Sequence, residues 1–292
     1  MNETMKIIEC PRDAMQGLSE FIPTETKINY INKLLKVGFE AIDFGSFVSP
    51  KAIPQLRDTE EVLRNLNLSE TTTKLLAIVG NKRGGEQAVS YAEISYLGFP
   101  FSVSETFLQL NINSTYNSAF QTFIQLSELC KRNNKKLVVY LSMAFGNPYK
   151  EAWSIEKLTK IISDLEQNGA EIISMSDTVG FADVAQIQEV FSVLMPAFPK
   201  IRFGLHLHAK PENAYKKIDA AWKQGVRYFD GVLNGLGGCP MSEYKLVGNI
   251  KTGILYDYAI QNGIDCGINE PLLREVQKLS LEVFAGKTFK TT

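Results

Sequence analysis

The sequence predicts an α/β protein, a (β/α)8 TIM barrel with an extra C-terminal helix. Short β-type runs alternate with longer helical stretches along nearly the whole chain of 292 residues. Several runs, such as KLVVYLSM (136–143), are almost entirely apolar, which is typical of parallel strands buried on both faces. No linker, low-complexity segment or charge block divides the chain. We therefore expect a single domain over 1–292, with the barrel over about 5–262 and a helical extension over about 263–292.

Eight candidate strands follow one another along the chain. They are Lys6–Cys10, Ala41–Ser46, Lys74–Gly80, Glu93–Phe99, Lys136–Met143, Glu171–Asp177, Ile201–His208 and Tyr228–Gly235. Helical periodicity is clearest in five stretches between them, Thr24–Val37, Ser118–Asn133, Ser154–Asn168, Ala182–Phe198 and Pro211–Gln224. A further helical pattern, Asn269–Lys287, predicts the extra helix beyond the barrel. A doubly wound sheet is the alternative, but no GxGxxG motif follows an early strand.

The composition excludes several classes of protein. Hydrophobic residues make up 45% of the chain and charged residues 22%, which is ordinary for a globular protein. The net charge of −1 makes nucleic acid an unexpected partner, because a general polyanion binder carries a basic excess. No apolar run approaches the roughly 20 residues that a membrane span needs. The four cysteines are widely spaced, and together with the lack of a targeting pattern they predict a cytoplasmic protein with reduced thiols.

The chain has only two histidines, and they lie two residues apart in IRFGLHLH. Residues with this spacing face the same side of a strand, so His206 and His208 project together at its carboxyl end. Catalytic groups of TIM barrels lie at this end of the strands. Two imidazoles placed there can bind one divalent metal ion. The alternative is a pair of polar residues that are satisfied by hydrogen bonds at the rim.

The first strand ends in IIECPRDAMQG, where Glu9, Arg12 and Asp13 cluster at the point where that strand meets the loop expected after it. A carboxylate is the natural third ligand for a site with two imidazoles, and oxygen-rich ligand sets suit Mg²⁺ or Mn²⁺. The guanidinium of Arg12 can hold an anion or stabilise an oxyanion. A solvated turn with a surface salt bridge would also explain these residues.

The eighth strand leads into NGLGGCP (234–240), which contains three glycines and Cys239. A loop of this composition can close over a substrate and carry a catalytic group. A plain turn with an incidental cysteine, or a phosphate cradle, are the alternatives. Just beyond the loop, the amide of Asn249 can complete a metal coordination sphere or cap a helix.

The second strand leads into a long loop, DFGSFVSPKAIPQLRD (43–58). Asp43 and Ser46 are expected at the barrel mouth, and Lys51 and Arg57 in the loop can bind an anionic substituent. A capped, solvated loop would account for the same residues.

These segments together resemble the 3-hydroxy-3-methylglutaryl-CoA lyase family of TIM-barrel metallolyases. The resemblance covers nearly the whole chain. Its motifs are PRDAMQ (11–16), SFVSPKAIPQ (46–55), SVSETFLQLNIN (102–113), FGNPY (145–149), SDTVG (176–180), HLH (206–208), GLGGCP (235–240) and GN (248–249). Synthases of the same superfamily share the barrel and the HLH-type pair, but not the combination of SFVSPK with GLGGCP.

The resemblance implies a site built around one divalent metal ion, Mg²⁺ or Mn²⁺. The positions that match the family's metal ligands are Asp13, His206, His208 and Asn249. The resemblance further implies that Arg12 stabilises the enolate, that Cys239 takes part in proton transfer, and that Asp177 helps to deprotonate the substrate hydroxyl. Glu9 matches another acidic residue near the site, and Asp43 stands where the family usually has Glu. The residues that we expect to contact substrate are Glu9, Asp43, Ser46, Lys51, Arg57, Lys82 and Arg83.

The implied reaction is retro-Claisen cleavage of 3-hydroxy-3-methylglutaryl-CoA to acetyl-CoA and acetoacetate. The basic residues that are candidates for the CoA phosphates are Lys51, Arg57, Lys82 and Arg83. Two other functions remain open, a Claisen-condensing acyl-CoA synthase and a degenerate barrel without activity. The departures at Ala209 and Gly253, where the family usually has Asp and Glu, motivate the second of these, and Lys210 stands where the family usually has Thr. The extra helix suggests a homodimer.

Overall fold

The protein forms a closed barrel of eight parallel strands in the order of the sequence. The computed structural model describes residues 3–237 and 247–288. The barrel closes where the first strand pairs with the eighth, from Lys6 opposite Tyr228 to Glu9 opposite Gly231. The predicted TIM barrel is therefore confirmed.

The strands begin close to where the sequence predicts them. They are β1 (Lys6–Glu9), β2 (Ala41–Ser46), β3 (Lys74–Ile78), β4 (Ile94–Ser102), β5 (Lys136–Ser142), β6 (Ile172–Asp177), β7 (Arg202–Leu207) and β8 (Tyr228–Gly231). β4 runs three residues further than expected, because its pairing with β5 continues to Ser102. β8 ends earlier than expected, because Val232 leaves β1 and forms an isolated bridge with Lys251 instead.

Helices follow the strands and form the outer layer. They are α1 (Pro11–Gln16), α2 (Thr24–Leu34), α3 (Thr59–Arg64), α4 (Lys82–Val89), α5 (Glu105–Ile112), α6 (Tyr116–Arg132), α7 (Ile155–Gln167), α8 (Val184–Ala197), α9 (Pro211–Lys223), α10 (Thr252–Gln261) and α11 (Glu270–Phe284). The short α1 was expected as a loop. Pro11 at its first position explains it, because the proline ring presets a helical φ and lacks the N–H that would go unpaired there.

Side chains fill the barrel interior almost completely, as expected for this fold. Gly98 on β4 leaves room for the ring of Tyr140, since a Cβ at this position would lie 2.9 Å from the Cε2 atom of that ring. A cavity of about 30 Å³ remains inside the barrel, and Tyr140, Ser174 and Asp230 are among the residues that line it. This small space is lined mainly by apolar side chains, with a few polar groups among them.

The predicted extra helix is α11, and it packs against α2 of the same chain. Its Phe284 makes an edge-to-face ring contact with Tyr30 at 6.1 Å between centroids. The Tyr30 hydroxyl donates to Ser280 Oγ (3.1 Å), and Asn234 Nδ2 donates to the same oxygen (2.7 Å). α11 is therefore tied both to α2 and to the segment that follows β8. No helix in the described part of the chain is long and apolar enough to cross a membrane.

Candidate active site

A cleft of about 430 Å³ opens at the carboxyl ends of the strands. The segments that follow β2 and β4 give it an apolar wall, which includes Val48, Ile53 and Phe107. Arg12, Asp13, His206 and His208 line it as well. Among the described residues of the cleft, Arg12 carries the only guanidinium or ammonium group. The cleft therefore combines an apolar surface with a compact set of ionisable groups.

Three of the predicted metal ligands lie within reach of a single ion. One ligand atom each of Asp13, His206 and His208 lies within 4.8 Å of the others. They come from α1, from β7 and from the residue after β7. The fourth predicted ligand, Asn249, forms an isolated bridge with His208, and its Nδ2 donates to Asp13 Oδ2 (2.5 Å). The structure thus brings together all four side chains that the sequence singles out.

The protonation states of these residues suit a metal ion. Burial lowers the pKa of His208 to about 4, and the neighbouring His206 acts in the same direction, so its imidazole is neutral at pH 7. Burial alone would raise the pKa of Asp13, but the charge of Arg12, the neighbouring His206 and the hydrogen bond from Asn249 outweigh it, and the pKa falls below its ordinary value. A carboxylate, two imidazoles and an amide oxygen form a donor set that hard and borderline divalent cations accept. The residues present therefore fit a divalent metal ion.

Asp230 is a site residue that the sequence analysis missed. Its Oδ2 lies 2.9 Å from Nδ1 of His206. An ionised carboxylate can only accept, so this contact puts the imidazole proton on Nδ1 and leaves Nε2 free for a ligand role. The pairing of Leu205 with Phe229 between β7 and β8 explains why the two residues meet. Burial acts to lower the pKa of His206, but the hydrogen bond and the charge of Asp230 outweigh it and raise that pKa.

A second group of possible metal-binding atoms shares His206. Ligand atoms of Cys10, His206 and Asp230 also lie within 4.8 Å of one another. Cys10 directly follows β1, and it is 1% exposed.

Arg12 is held by carboxylates on two sides. Its Nε donates to Asp43 Oδ2 (2.9 Å) and Oδ1 (3.2 Å), and its Nη1 donates to Gln16 Oε1 (2.9 Å). Gln16 in turn donates from Nε2 to Asp13 Oδ1 (2.7 Å), which ties the arginine to the metal-ligand group. Burial raises the pKa of Asp43 to about 6 against the opposing charge of Arg12, so Asp43 is ionised at neutral pH. Asp43 is fully buried and acts on Arg12, whereas the sequence analysis placed it against substrate.

Two acidic residues of the predicted site lie elsewhere. Glu9 is fully buried on the outer side of β1, where its carboxylate accepts from Leu233 N (2.9 Å) and from the hydroxyl of Thr252. Asp177 accepts from the backbone N–H groups of Phe181 (2.8 Å) and Ala182 (3.0 Å). Alternation along β1 turns Glu9 away from the cleft. The turn after β6 uses the lone pairs of Asp177. This placement corrects the expectation that Glu9 faces substrate and does not support a catalytic Asp177.

Two residues that were predicted to contact substrate after the second strand, Ser46 and Arg57, have other partners in the structure. Ser46 is buried, and its Oγ donates to Ile78 O (3.3 Å). Arg57 stacks on the ring of Phe21 at 3.8 Å, away from the cleft. The remaining candidates for binding CoA phosphates are exposed residues of the β2–α3 loop and the first turn of α4, namely Lys51, Lys82 and Arg83.

Cys239 lies outside the described residues, and its predicted part in proton transfer therefore remains a prediction. The same holds for most of the glycine-rich loop. The described ends of this loop are anchored near the site, since the backbone oxygen of Leu236 accepts from Asn249 Nδ2 (2.9 Å).

A closed (β/α)8 barrel with a buried arginine and a carboxylate–imidazole group at its mouth defines an enzyme of the TIM-barrel type. The HMGL-like family matches residues 5–279 of the chain. The chain belongs to this family, and it is a carbon–carbon lyase of the hydroxymethylglutaryl-CoA lyase type.

Two relatives and one solved structure illustrate the proteins to which this chain is similar. A hydroxymethylglutaryl-CoA lyase of Bacillus subtilis is 35% identical over 230 residues, which are 79% of this chain and 76% of the relative. An (R)-citramalyl-CoA lyase of Chloroflexus aurantiacus is 29% identical over 277 residues, 91% of this chain and 87% of the relative. The structure of an HMG-CoA lyase from Acinetobacter baumannii with coenzyme A and 3-methylmalate has a TM-score of 0.88 at 28% identity. It covers 99% of this chain and 93% of that one.

Proposed function

We propose that this protein cleaves 3-hydroxy-3-methylglutaryl-CoA to acetyl-CoA and acetoacetate, with one divalent cation, Mg²⁺ or Mn²⁺, held by Asp13, His206, His208 and Asn249. The observation that carries the proposal is the contact between this ligand group and the buried guanidinium of Arg12. The two are joined through Gln16 and through the 3.3 Å contact of Arg12 Nη1 with Asp13 Oδ1. A cation-binding set beside a fixed positive charge suits a reaction in which an alcohol loses its proton while an enolate forms.

In this reaction Arg12 stabilises the enolate. Cleavage of the carbon–carbon bond leaves negative charge on the thioester oxygen, and a preorganised cation stabilises that charge without rearranging first. Asp43 and Gln16 fix the guanidinium in place, and the pKa of Arg12 is raised because the nearby Asp43 and Asp13 carboxylates outweigh the effect of burial. Arg12 is therefore charged throughout the reaction.

The group of metal ligands acts on the hydroxyl of the substrate. A divalent cation bound there would lower the pKa of the substrate's tertiary alcohol and polarise its oxygen. Asp230 contributes by holding the His206 ring in one tautomer and one orientation. The apolar wall at Val48, Ile53 and Phe107 excludes water from the carbanion-like carbon, and Cys239 is the residue that we propose to return a proton to it.

Cleavage of citramalyl-CoA to acetyl-CoA and pyruvate is a second candidate, because the Chloroflexus relative matches 91% of this chain. The two substrates undergo the same bond cleavage, and they differ by one methylene between the carbinol carbon and the carboxylate. A difference of one methylene is worth roughly 10- to 200-fold in kcat/KM. Assays with both thioesters should separate the activities by about this factor. If the protein is instead a condensing synthase or an inactive barrel, it should cleave neither thioester. A cytoplasmic location and a homodimer also remain proposals.

The first experiment combines metal content with product release. The purified protein should hold about one Mg²⁺ or Mn²⁺ per chain and release acetoacetate from 3-hydroxy-3-methylglutaryl-CoA. His206→Ala should lose both, because it removes a ligand from the shared group. Asn133→Ala is the matched control, since this exposed asparagine caps α6 far from the cleft. If His206→Ala binds the metal as tightly as the unmodified protein, the ligand assignment is wrong.

A further inference from the structure

His206 faces two sets of donors. One set adds Asp13 and His208, which line the cleft, and the other, the interior set, adds Cys10 and Asp230, of which Asp230 lines the interior cavity. The interior set brings together a thiol, an imidazole and a carboxylate from the ends of β1, β7 and β8. The two residues that accompany His206 in this set are shielded from solvent, since Cys10 is 1% exposed and Asp230 is 6% exposed. The cleft-side set offers no sulfur among its described members.

We propose that Cys10, His206 and Asp230 form a second, inner cation site that prefers thiophilic divalent ions such as Zn²⁺ or Cd²⁺. Thiolate and imidazole ligands favour these ions, whereas Mg²⁺ and Mn²⁺ favour oxygen. The charges also match, because one thiolate and one carboxylate neutralise a divalent cation. This balance offsets the free energy that burying an unpaired charge would cost.

Of the three residues of the inner site, Asp230 alone borders the interior cavity, and Cys10 and His206 do not line it. Asp230 lines this space of about 30 Å³, and so does Ser174, whose Oγ lies 3.5 Å from Asp230 Oδ2. A cavity of this size holds a water molecule. Zn²⁺ is usually four-coordinate in proteins, so a water on the Asp230 side would be the fourth ligand beside the three side chains.

Binding at the inner site changes where protons lie. The thiol proton of Cys10 is released to solvent as the sulfur coordinates the ion. Coordination through Nδ1 of His206 moves the imidazole proton to Nε2, so that the ring stays neutral. Nε2 then has no lone pair for the cleft side. The two sites therefore compete for one imidazole, and a thiophilic ion at the inner site should inhibit the lyase. This last consequence rests on the proposed function, whereas binding itself does not.

Spectroscopy of the free enzyme tests the binding. Cd²⁺ is added to a Cys239→Ala variant, which lacks the cysteine of the glycine-rich loop and serves as the parent for the other substitutions. The thiolate-to-cadmium absorption band is then recorded in the ultraviolet. We expect the band to saturate at one equivalent, to vanish in a parent carrying Cys10→Ala, and to persist in one carrying Cys130→Ala. Asp230→Asn should weaken Cd²⁺ binding by roughly tenfold or more. A band that survives Cys10→Ala, or a parent without a band, would overturn the proposal.

A crystal of the unmodified protein soaked with Cd²⁺ makes the test independent of how the variants fold. An anomalous scattering peak between Cys10, His206 and Asp230 is the expected result, and its absence there contradicts the inner site. The outcome is separate from the proposed function. If the protein shows the peak but does not cleave the acyl-CoA, the inner site stands and the proposed lyase activity is wrong. If it cleaves the acyl-CoA but shows no peak, the lyase activity stands and the inner site is wrong.

Discussion

Glu9 and Asp13 are four residues apart, yet they belong to two regions with opposite electrostatics. The cleft cluster consists of Arg12, Asp13, Asp43, His206 and His208. The anchor cluster lies on the outer side of β1, and it consists of Glu9, Tyr30, Asn234, Thr252 and Ser280. Both clusters are largely buried and rich in hydrogen bonds.

The pKa values show how the two regions differ. Asp13 has cationic neighbours, and they hold its pKa below the ordinary value even though burial acts to raise it. Glu9 is hydrogen-bonded to Thr252 and Leu233, both neutral, and burial raises its pKa to about 8. Asp13 is therefore an anion at neutral pH, while Glu9 is mostly a neutral acid. The groups that surround a carboxyl group at this strand end, more than its residue type, therefore decide whether it is ionised and available for catalysis.

The largest effect is expected in the cleft cluster, from Arg12→Gln. The substitution removes the permanent charge but keeps hydrogen-bonding capacity, so kcat should fall by roughly 10²–10³-fold or more. KM should change far less, because the charge that Arg12 stabilises appears only as the bond breaks. Steady-state kinetics with the acyl-CoA substrate measure both. A large rise in KM at normal kcat would instead make Arg12 a substrate-binding residue.

In the anchor cluster, Glu9→Gln should change the pH dependence of stability. The folded state keeps the Glu9 proton up to about pH 8, whereas an unfolded glutamate loses it near 4.5. The stabilising contribution of Glu9 is therefore complete below about pH 4.5, and it is lost as the pH rises through 8. Gln has no proton to lose and preserves the hydrogen bonds to Leu233 and Thr252.

The variant should accordingly match the unmodified protein at pH 5 and exceed its free energy of unfolding by a few kcal/mol at pH 9, since one pKa unit is worth about 1.4 kcal/mol. Denaturant titrations at both pH values measure the difference. If the two proteins differ by the same amount at pH 5 and pH 9, Glu9 does not titrate as described.

The smallest effect is expected from Ser280→Ala, which breaks the link between α11 and the segment after β8. It leaves Tyr30 and Asn234 without their shared oxygen partner, which should lower the free energy of unfolding by about 1–2 kcal/mol. Metal content should stay unchanged. Leu281→Ala is the matched control, because its side chain on the same helix is 63% exposed. Equal thermal stabilities of the two variants would show that the anchor cluster does not depend on Ser280.

Much of this arrangement was accessible from the sequence. The alternation of strand and helix predicts the barrel, and the two-residue spacing of His206 and His208 predicts their common face. Asp230 was missed because its partnership with His206 depends on the register between β7 and β8, which no local pattern specifies. Glu9 was misplaced because β1 is short, and one position along it separates the cleft from the outer face. Gln16 was missed because α1 was expected as a loop, so its helical spacing from Arg12 could not be used.

The closure of the barrel between β1 and β8 also bears on how the protein is made. Asp13 emerges early from the ribosome, whereas His206, His208 and Asn249 follow only near the end of synthesis. The nascent chain can pair its first strands one after another, but it cannot pair β1 with β8 until almost all of the protein exists. Until then β1 keeps an open edge, which makes the unfinished chain prone to association and a natural client for chaperones.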